Sequence, residues 1–230
     1  MIYLYSGTPG SGKSLHLARD IMFKLRRGQN VIANFLIDVD VVRSRFFGLL
    51  RYKNLGAFIY KPDREFTVDF LVDYAKKNHK AGLEGQTLVC FDEAQRKWNS
   101  AKNRISSKEI EKWEDFFSLH RHLGFNIILC TQKDKMIDRY LRDLLEYDIK
   151  HRKANNRGTI GMFLPFKLFS AVTYWYGVRE KLSVEFFTYR KLYSILYDSY
   201  SFSDDTQAHQ ADVLGIFKSR DTAAHGEGPA

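Results

Sequence analysis

Near the N-terminus, Gly7-Thr8-Pro9-Gly10-Ser11-Gly12-Lys13-Ser14 fits the pattern G-x-x-x-x-G-K-[ST]. Each element of that pattern has a chemical job. Glycines let the backbone turn its amides inward with no Cβ in the way. Those amides form a nest for an anion, and a helix that follows adds its positive end. Lys13 is placed to reach the β- and γ-phosphates of a nucleotide, and Ser14 Oγ to ligate Mg2+. The loop lies between an apolar run and a helical pattern, which is the context such a cradle requires.

A phosphate cradle does not by itself mean hydrolysis. The second constellation is "LVCFDEAQ", in which a hydrophobic run ends in Asp92-Glu93. Asp92 at a strand tip is expected to hold Mg2+ through water, and Glu93 to polarise an attacking water. The third is "FNIILCTQ", another buried run ending in Thr131-Gln132. Parallel strands share their C-terminal edge, where ligands sit, so Gln132 projects toward the same γ-phosphate as a sensor. Arg121 precedes that strand and therefore sits at the opposite edge. Seven strand residues span about 23 Å, too far for Arg121 to reach its own nucleotide. It suits a neighbour's site if subunits pack as a ring, where an arginine supplied in trans stabilises charge on the transferring phosphoryl group. A solvated arginine at a helix end, beside His120 and His122, is the other reading. Those histidines lack the cysteine or acidic spacing of a metal site.

Elements must deliver these side chains. Ile2–Ser6 reads as a strand. Ser14–Arg27 reads as a helix with Ala18, Ile21, Met22 and Leu25 at three-four spacing, and Gly28 stops it. Further strands are expected at Asn30–Phe35, Ala57–Tyr60, Thr87–Phe91 and Phe125–Thr131. Further helices are expected at Thr67–His79, Ser107–Leu123 and Asp134–Tyr147. From Asp148 the pattern turns β-rich and aromatic. Strands alternating with helices imply an α/β fold with a mostly parallel central sheet flanked by helices. Together with the three constellations, this describes a P-loop NTPase with a catalytic glutamate, an additional sheet strand carrying a sensor, and a β-rich C-terminal extension. Residues 1–205 are expected to form the ATPase domain, and the polar stretch 206–230 a disordered tail.

Apolar residues make up 44% of the 230, enough for a sizeable core, and 36 Lys and Arg against 27 Asp and Glu leave a net charge of +9. That balance suits nucleic acid or anionic lipid, or simply a basic enzyme. Two cysteines, each in an apolar run, read as buried thiols. Ile160–Val178 is greasy, but Lys167 at mid-span argues against a transmembrane helix and for buried strands or a partner surface. Two basic clusters, Arg43/Arg45/Arg51/Lys53 and Lys150/Arg152/Lys153/Arg157, are candidates for phosphate contacts or solvated surface charge. The second reads as strand-turn-strand. Aromatics between Phe163 and Tyr176 suit base stacking, a core or a subunit interface.

"MIYLYSGTPGSGKS", "FDEAQ", "HRHLGFNIILCTQ", "IDRYLRDLLEYDIKHRK" and "YRKLYSILYDSY" together resemble the zonular occludens toxin family, which includes filamentous-phage assembly ATPases. The resemblance spans about Met1 to Tyr200. "R-x-x-G-x-x-x-x-x-x-T-Q" is also similar to DNA-translocating ring ATPases of the FtsK/HerA type, in which the matching arginine acts in trans. The resemblance implies a homo-oligomeric, cytoplasmic motor at the inner face of the host membrane. It would use ATP and Mg2+ to drive assembly and extrusion of a phage around single-stranded DNA, with phage assembly or membrane proteins as partners. Family members usually continue into a transmembrane helix and an exported part, with which the toxin-like activity is associated. No such segment is expected here, as in a truncated chain or a short form that docks to a membrane partner. Two other functions stay open: a nucleotide or small-molecule kinase, with the Lys150–Arg157 hairpin as its lid, and a nucleotide-gated scaffold or effector without turnover.

Overall fold

A computed structural model of the chain describes residues 1–45, 50–99, 106–154, 167–178 and 180–197. The strands in chain order are β1 (Ile2–Ser6), β2 (Asn30–Ala33), β3 (Ser44–Arg45), β4 (Leu50–Arg51), β5 (Phe58–Tyr60), β6 (Thr87–Phe91), β7 (Phe125–Thr131), β8 (Tyr147–Lys153), β9 (Leu168–Trp175) and β10 (Lys181–Thr188). All of β6 is buried and only Asn126 of β7 is not, as expected for strands covered on both faces. Eight strands form one sheet in the order β10-β9-β8-β1-β7-β6-β2-β5. From β5 through β8 every pair is parallel; β9 and β10 then add an antiparallel hairpin, the β-rich extension. β7 lies between β1 and β6, so a strand late in sequence separates the phosphate-loop strand from the acidic one.

Helices cover both faces: α1 (Lys13–Arg26), α2 (Val39–Arg43), α3 (Val68–Asn78), α4 (Ser107–Leu119), α5 (Arg139–Arg142) and α6 (Lys191–Leu196). α1 buries Leu17, Ala18, Ile21, Met22 and Leu25 against Val31, Cys90, Ile128 and Cys130 of the sheet, and Leu196 of α6 joins them. On the other face, Trp113, Phe116 and Phe117 of α4 pack with Trp98, Phe91 and Phe125. The Trp98 and Trp113 rings meet edge-on at 5.0 Å. Burying each of these aromatic side chains contributes about 2–3 kcal/mol. Both cysteines are buried free thiols, and desolvation pushes them well above the ordinary thiol range.

The expected helix Asp134–Tyr147 is absent. A short 3-10 turn, Asp134–Met136, and the single turn of α5 take its place, and Tyr147 opens β8. The local periodicity of Ile137, Leu141 and Leu145 is real, but tertiary contacts divide the segment. Asp138 donates its N–H to the Trp98 carbonyl, Asn99 bridges Ile137, and Tyr147 stacks between Tyr3 and Trp175. α4 stops at Leu119, four residues earlier than expected, because the Phe125 N–H bonds His120 O and Gly124 takes φ +83°. Of the greasy stretch, Leu168–Trp175 is strand β9, and 160–166 lie outside the described residues. Among the described residues no helix is long and apolar enough to cross a membrane.

Lys150 and Arg152 share one face of β8, whereas Lys153 alternates to the other; Arg157 and the turn of the expected hairpin are outside the described residues. Lys150 lies 3.4 Å from Asp148 and over the Tyr174 ring. Of the other basic cluster, Arg43 ends α2 and Arg51 sits on β4, where both are exposed. Met1–Asp198 form one compact unit, and the expected tail 206–230 lies outside the described residues.

Candidate functional site

Register brings the chemistry to one rim. Leu4 pairs with Leu129, and Leu129 with Phe91, so these residues lie at one level across β1, β7 and β6. All three strands run the same way. Gly7 and Gln132 therefore each emerge three residues beyond that level, and Asp92 and Glu93 one and two residues beyond it. The loop lysine, the carboxylate pair and the glutamine leave adjacent strands at a single edge.

Gly7, Gly10 and Gly12 adopt φ of +147°, +73° and +97°. A Cβ on Gly7 would sit 2.5 Å from the His151 carbonyl oxygen, and one on Gly12 2.8 Å from the Phe169 ring. Strands β8 and β9 thus press directly on the loop from behind. α1 starts at Lys13, and its N-cap, Gly12, offers no side-chain cap; its first turn holds no acidic residue. By contrast, α3 and α4 are capped by Thr67 and Ser106. The first N–H groups of α1 are left for an outside acceptor, which a phosphate supplies. Ser11 Oγ is buried without a protein partner. Lys13 Nζ folds back onto the loop carbonyls of Gly7 (2.8 Å) and Thr8 (3.3 Å). Ser14 follows in the first turn of α1, half-buried. These features fit a nucleoside polyphosphate with its metal: amides and Lys13 for the phosphates, Ser14 and Asp92 for Mg2+.

Two loop substitutions separate strain from clash. Gly7→Ala combines a forbidden φ with a backbone collision and should lower stability by about 2–3 kcal/mol. Gly10→Ala meets nothing within 4 Å, so only its φ matters, at about 1–2 kcal/mol. Thermal denaturation of both variants checks the order; equal losses would mean that the β8 carbonyl does not limit the loop.

Asp92 is held at four atoms. Its backbone N–H donates to Asn34 Oδ1 (2.8 Å), and Asn34 Nδ2 returns a bond to its carbonyl (3.0 Å). Its carboxylate accepts from the Glu93 N–H at 3.0 Å and from the Tyr197 hydroxyl. Burial raises the Asp92 carboxyl above the usual range, against the Tyr197 bond and the Lys13 charge, which hold it down. Glu93 is the one non-glycine with positive φ among the described residues (φ 48°, ψ 47°). That left-handed turn breaks the chain away from β6 into the 3-10 turn Ala94–Arg96, and the Glu93 carboxylate accepts from Gln95 Nε2.

Gln132 is exposed just past β7, where Thr131 Oγ1 donates to Lys133 O. Arg121 is not brought to this rim. It lies at the opposite end of the strands, ion-paired with Glu146, whose other oxygen accepts the Ile2 N–H at 3.1 Å. Behind the loop, His16 Nδ1 and His151 Nε2 meet at 2.8 Å, Tyr5 donates to Asp20, and Arg19 pairs with Glu185. Desolvation lowers His16 to about 4 and His151 to about 3, so the pair is neutral at pH 7. This network ties α1 to β8 and β10.

Sequence reasoning missed Asn34, Gln95 and Tyr197 as members of the site. Asn34 carried a faint signal, a polar residue following the apolar run of β2 at the same sheet edge. Gln95 lies in "DEAQ" two residues from Glu93. Tyr197 lies in "LYDSY", which carried the family resemblance, but nothing local linked it to Asp92, which it meets across 105 residues.

The family model described as Zonular occludens toxin (Zot) matches residues 1–203. Among solved structures, the N-terminal domain of zonular occludens toxin from Neisseria meningitidis is 21% identical. It covers 86% of this chain and 98% of its own, with a TM-score of 0.50. An ATPase domain 11% identical, covering 84% of this chain and 82% of its own, superposes with a TM-score of 0.55. The DNA-packaging ATPase from Sulfolobus turreted icosahedral virus is 16% identical over 80% of this chain and 95% of its own, with a TM-score of 0.47. No curated protein matches the sequence. The fold is that of a P-loop NTPase.

Proposed function

This chain belongs to the zonular occludens toxin (Zot) family, and from that premise we propose that it is a Mg2+-dependent ATPase motor. Its work is to drive assembly and extrusion of a filamentous phage, with single-stranded DNA as cargo, from the cytoplasmic face of the inner membrane. One observation carries the ATPase reading: β1, β7 and β6 are adjacent and parallel, and they bring Lys13, Asp92, Glu93 and Gln132 to one edge beside an uncapped helix N-terminus. The membrane location, the cargo and the partners rest on family membership. The domain is assigned to residues 1–205, with 206–230 as a tail.

The residues divide the work. Backbone amides from Gly7 to Ser14 and the Lys13 ammonium bind and orient the phosphates. Ser14 and Asp92 would hold Mg2+, which would supply charge neutralisation to the transferring group. Glu93 takes a proton from the water it orients, and its left-handed backbone with the Gln95 bond fixes where it points. Gln132 reports loss of the terminal phosphate to β7.

Arg121 is assigned to a neighbouring subunit's site in a ring. The support is its place at the far rim, where its guanidinium is half-exposed while the partly buried Glu146 keeps the Ile2 N–H as a second partner. On the sheet's outer edge, β10 exposes Phe186, an apolar side chain available to a neighbouring subunit.

The test joins size and turnover. ATP hydrolysis and molecular mass are measured together across protein concentration, with and without single-stranded DNA. Free phosphate should appear without any acceptor, and its rate should rise as the chain assembles. Arg121→Ala should bind nucleotide and lose hydrolysis. Mixed with Glu93→Gln, it should recover part of the activity, because some interfaces then pair an intact arginine with an intact glutamate. No recovery at any ratio, in rings shown to be mixed, refutes the trans role; phosphate transfer only to an acceptor refutes the motor.

A further inference from the structure

The stretch "LYDSY" carries family resemblance but has no part in the mechanism above, and the structure gives its Tyr197 a specific contact. Tyr197 follows α6, is buried, and packs its ring against Phe35 with centroids 4.9 Å apart. Its hydroxyl donates to Asp92 Oδ2, while Asp92 Oδ1 accepts from the Glu93 N–H. α6 is itself tied to the start of α2, through the Asp38 N–H to the Leu196 carbonyl at 3.1 Å.

Resting on the nucleotide assignment above, we infer that Tyr197 is a positioning residue: its hydroxyl aims the Asp92 carboxylate at Mg2+, and so couples α6 to the metal-bound state. The physical case is preorganisation. A carboxylate held at both oxygens has one orientation, and each oxygen keeps a further lone pair with which to accept. Removing the hydroxyl frees the carboxylate to rotate without removing any group that touches nucleotide. Coupling of this kind is reciprocal, so whatever displaces α6 also weakens Mg2+ at Asp92.

Tyr197→Phe keeps the ring and deletes the donor. With MgCl2 and a non-hydrolysable ATP analogue, the Mg2+ concentration for half-maximal retention of the analogue should rise about 10- to 100-fold. Affinity for the analogue in excess EDTA should stay within about twofold, because the loop is untouched. An unchanged Mg2+ requirement refutes the role of Tyr197, and a lowered one shows that the hydroxyl competes with the metal instead. Wild-type chain that binds neither analogue nor Mg2+ refutes the nucleotide assignment and this inference with it. Should the variant fail to fold, hydrogen exchange on the wild-type chain decides. Amides of Lys191–Tyr197 should exchange more slowly with Mg2+ and analogue than with analogue in EDTA; equal exchange overturns the coupling.

Discussion

Lys13→Ala should abolish nucleotide binding. Nζ holds the Gly7 and Thr8 carbonyls and sits close enough to Asp92 to lower its carboxyl. In the variant those carbonyls lose their partner, the loop loses its one fixed positive side chain, and the Asp92 charge is left opposed only by hydrogen bonds. Truncating one side of a charged, hydrogen-bonded contact costs about 2–5 kcal/mol, or roughly 30- to several-thousand-fold in affinity. Titration of a fluorescent ATP analogue measures this directly. The thermal midpoint without nucleotide should change little, since Lys13 makes no core contact. Wild-type affinity in this variant would overturn the cradle assignment, whatever its hydrolysis rate.

Glu93→Gln should do the reverse, retaining nucleotide and losing turnover by about 10^2- to 10^4-fold, the usual worth of a positioned base. The swap is isosteric. Glutamine keeps an oxygen for the Gln95 amide and tolerates the left-handed φ no worse than glutamate. Asp92, with its bonds to Asn34, Tyr197 and the Glu93 N–H, is untouched. The variant therefore separates binding from chemistry. Single-turnover measurement with bound ATP is the readout. If turnover persists near the wild-type rate, the base lies elsewhere and the second rim carboxylate is structural. If the wild-type chain itself binds without turnover, the protein is a nucleotide-gated scaffold and not a motor.

Legibility followed the range of the forces involved. The glycine loop could be read directly because its chemistry is local: amides, a lysine and a helix start lie within eight residues. The runs Thr87–Phe91 and Phe125–Thr131 could be read as buried strands, since an apolar run of that length has few other stable states. Their shared edge then followed from parallel pairing alone. Asp134–Tyr147 shows the limit. Its three-four spacing is indistinguishable from a helix until Trp98, Asn99 and Tyr3 pull on it from elsewhere in the chain.

By its own pattern the sequence determined that a glycine loop ending in Lys13-Ser14 joins a strand to a helix, that acidic and glutamine-tipped strands accompany it, and that the fold is α/β. Tertiary structure alone decided the order that sets β7 between β1 and β6, the pressure of His151 and Phe169 on the loop, and the clamp of Asn34 and Tyr197 on Asp92. The division has one physical cause. Backbone conformation and apolar periodicity are set by neighbours along the chain, whereas a hydrogen bond between residues 58 or 105 positions apart exists only once the sheet has brought them together.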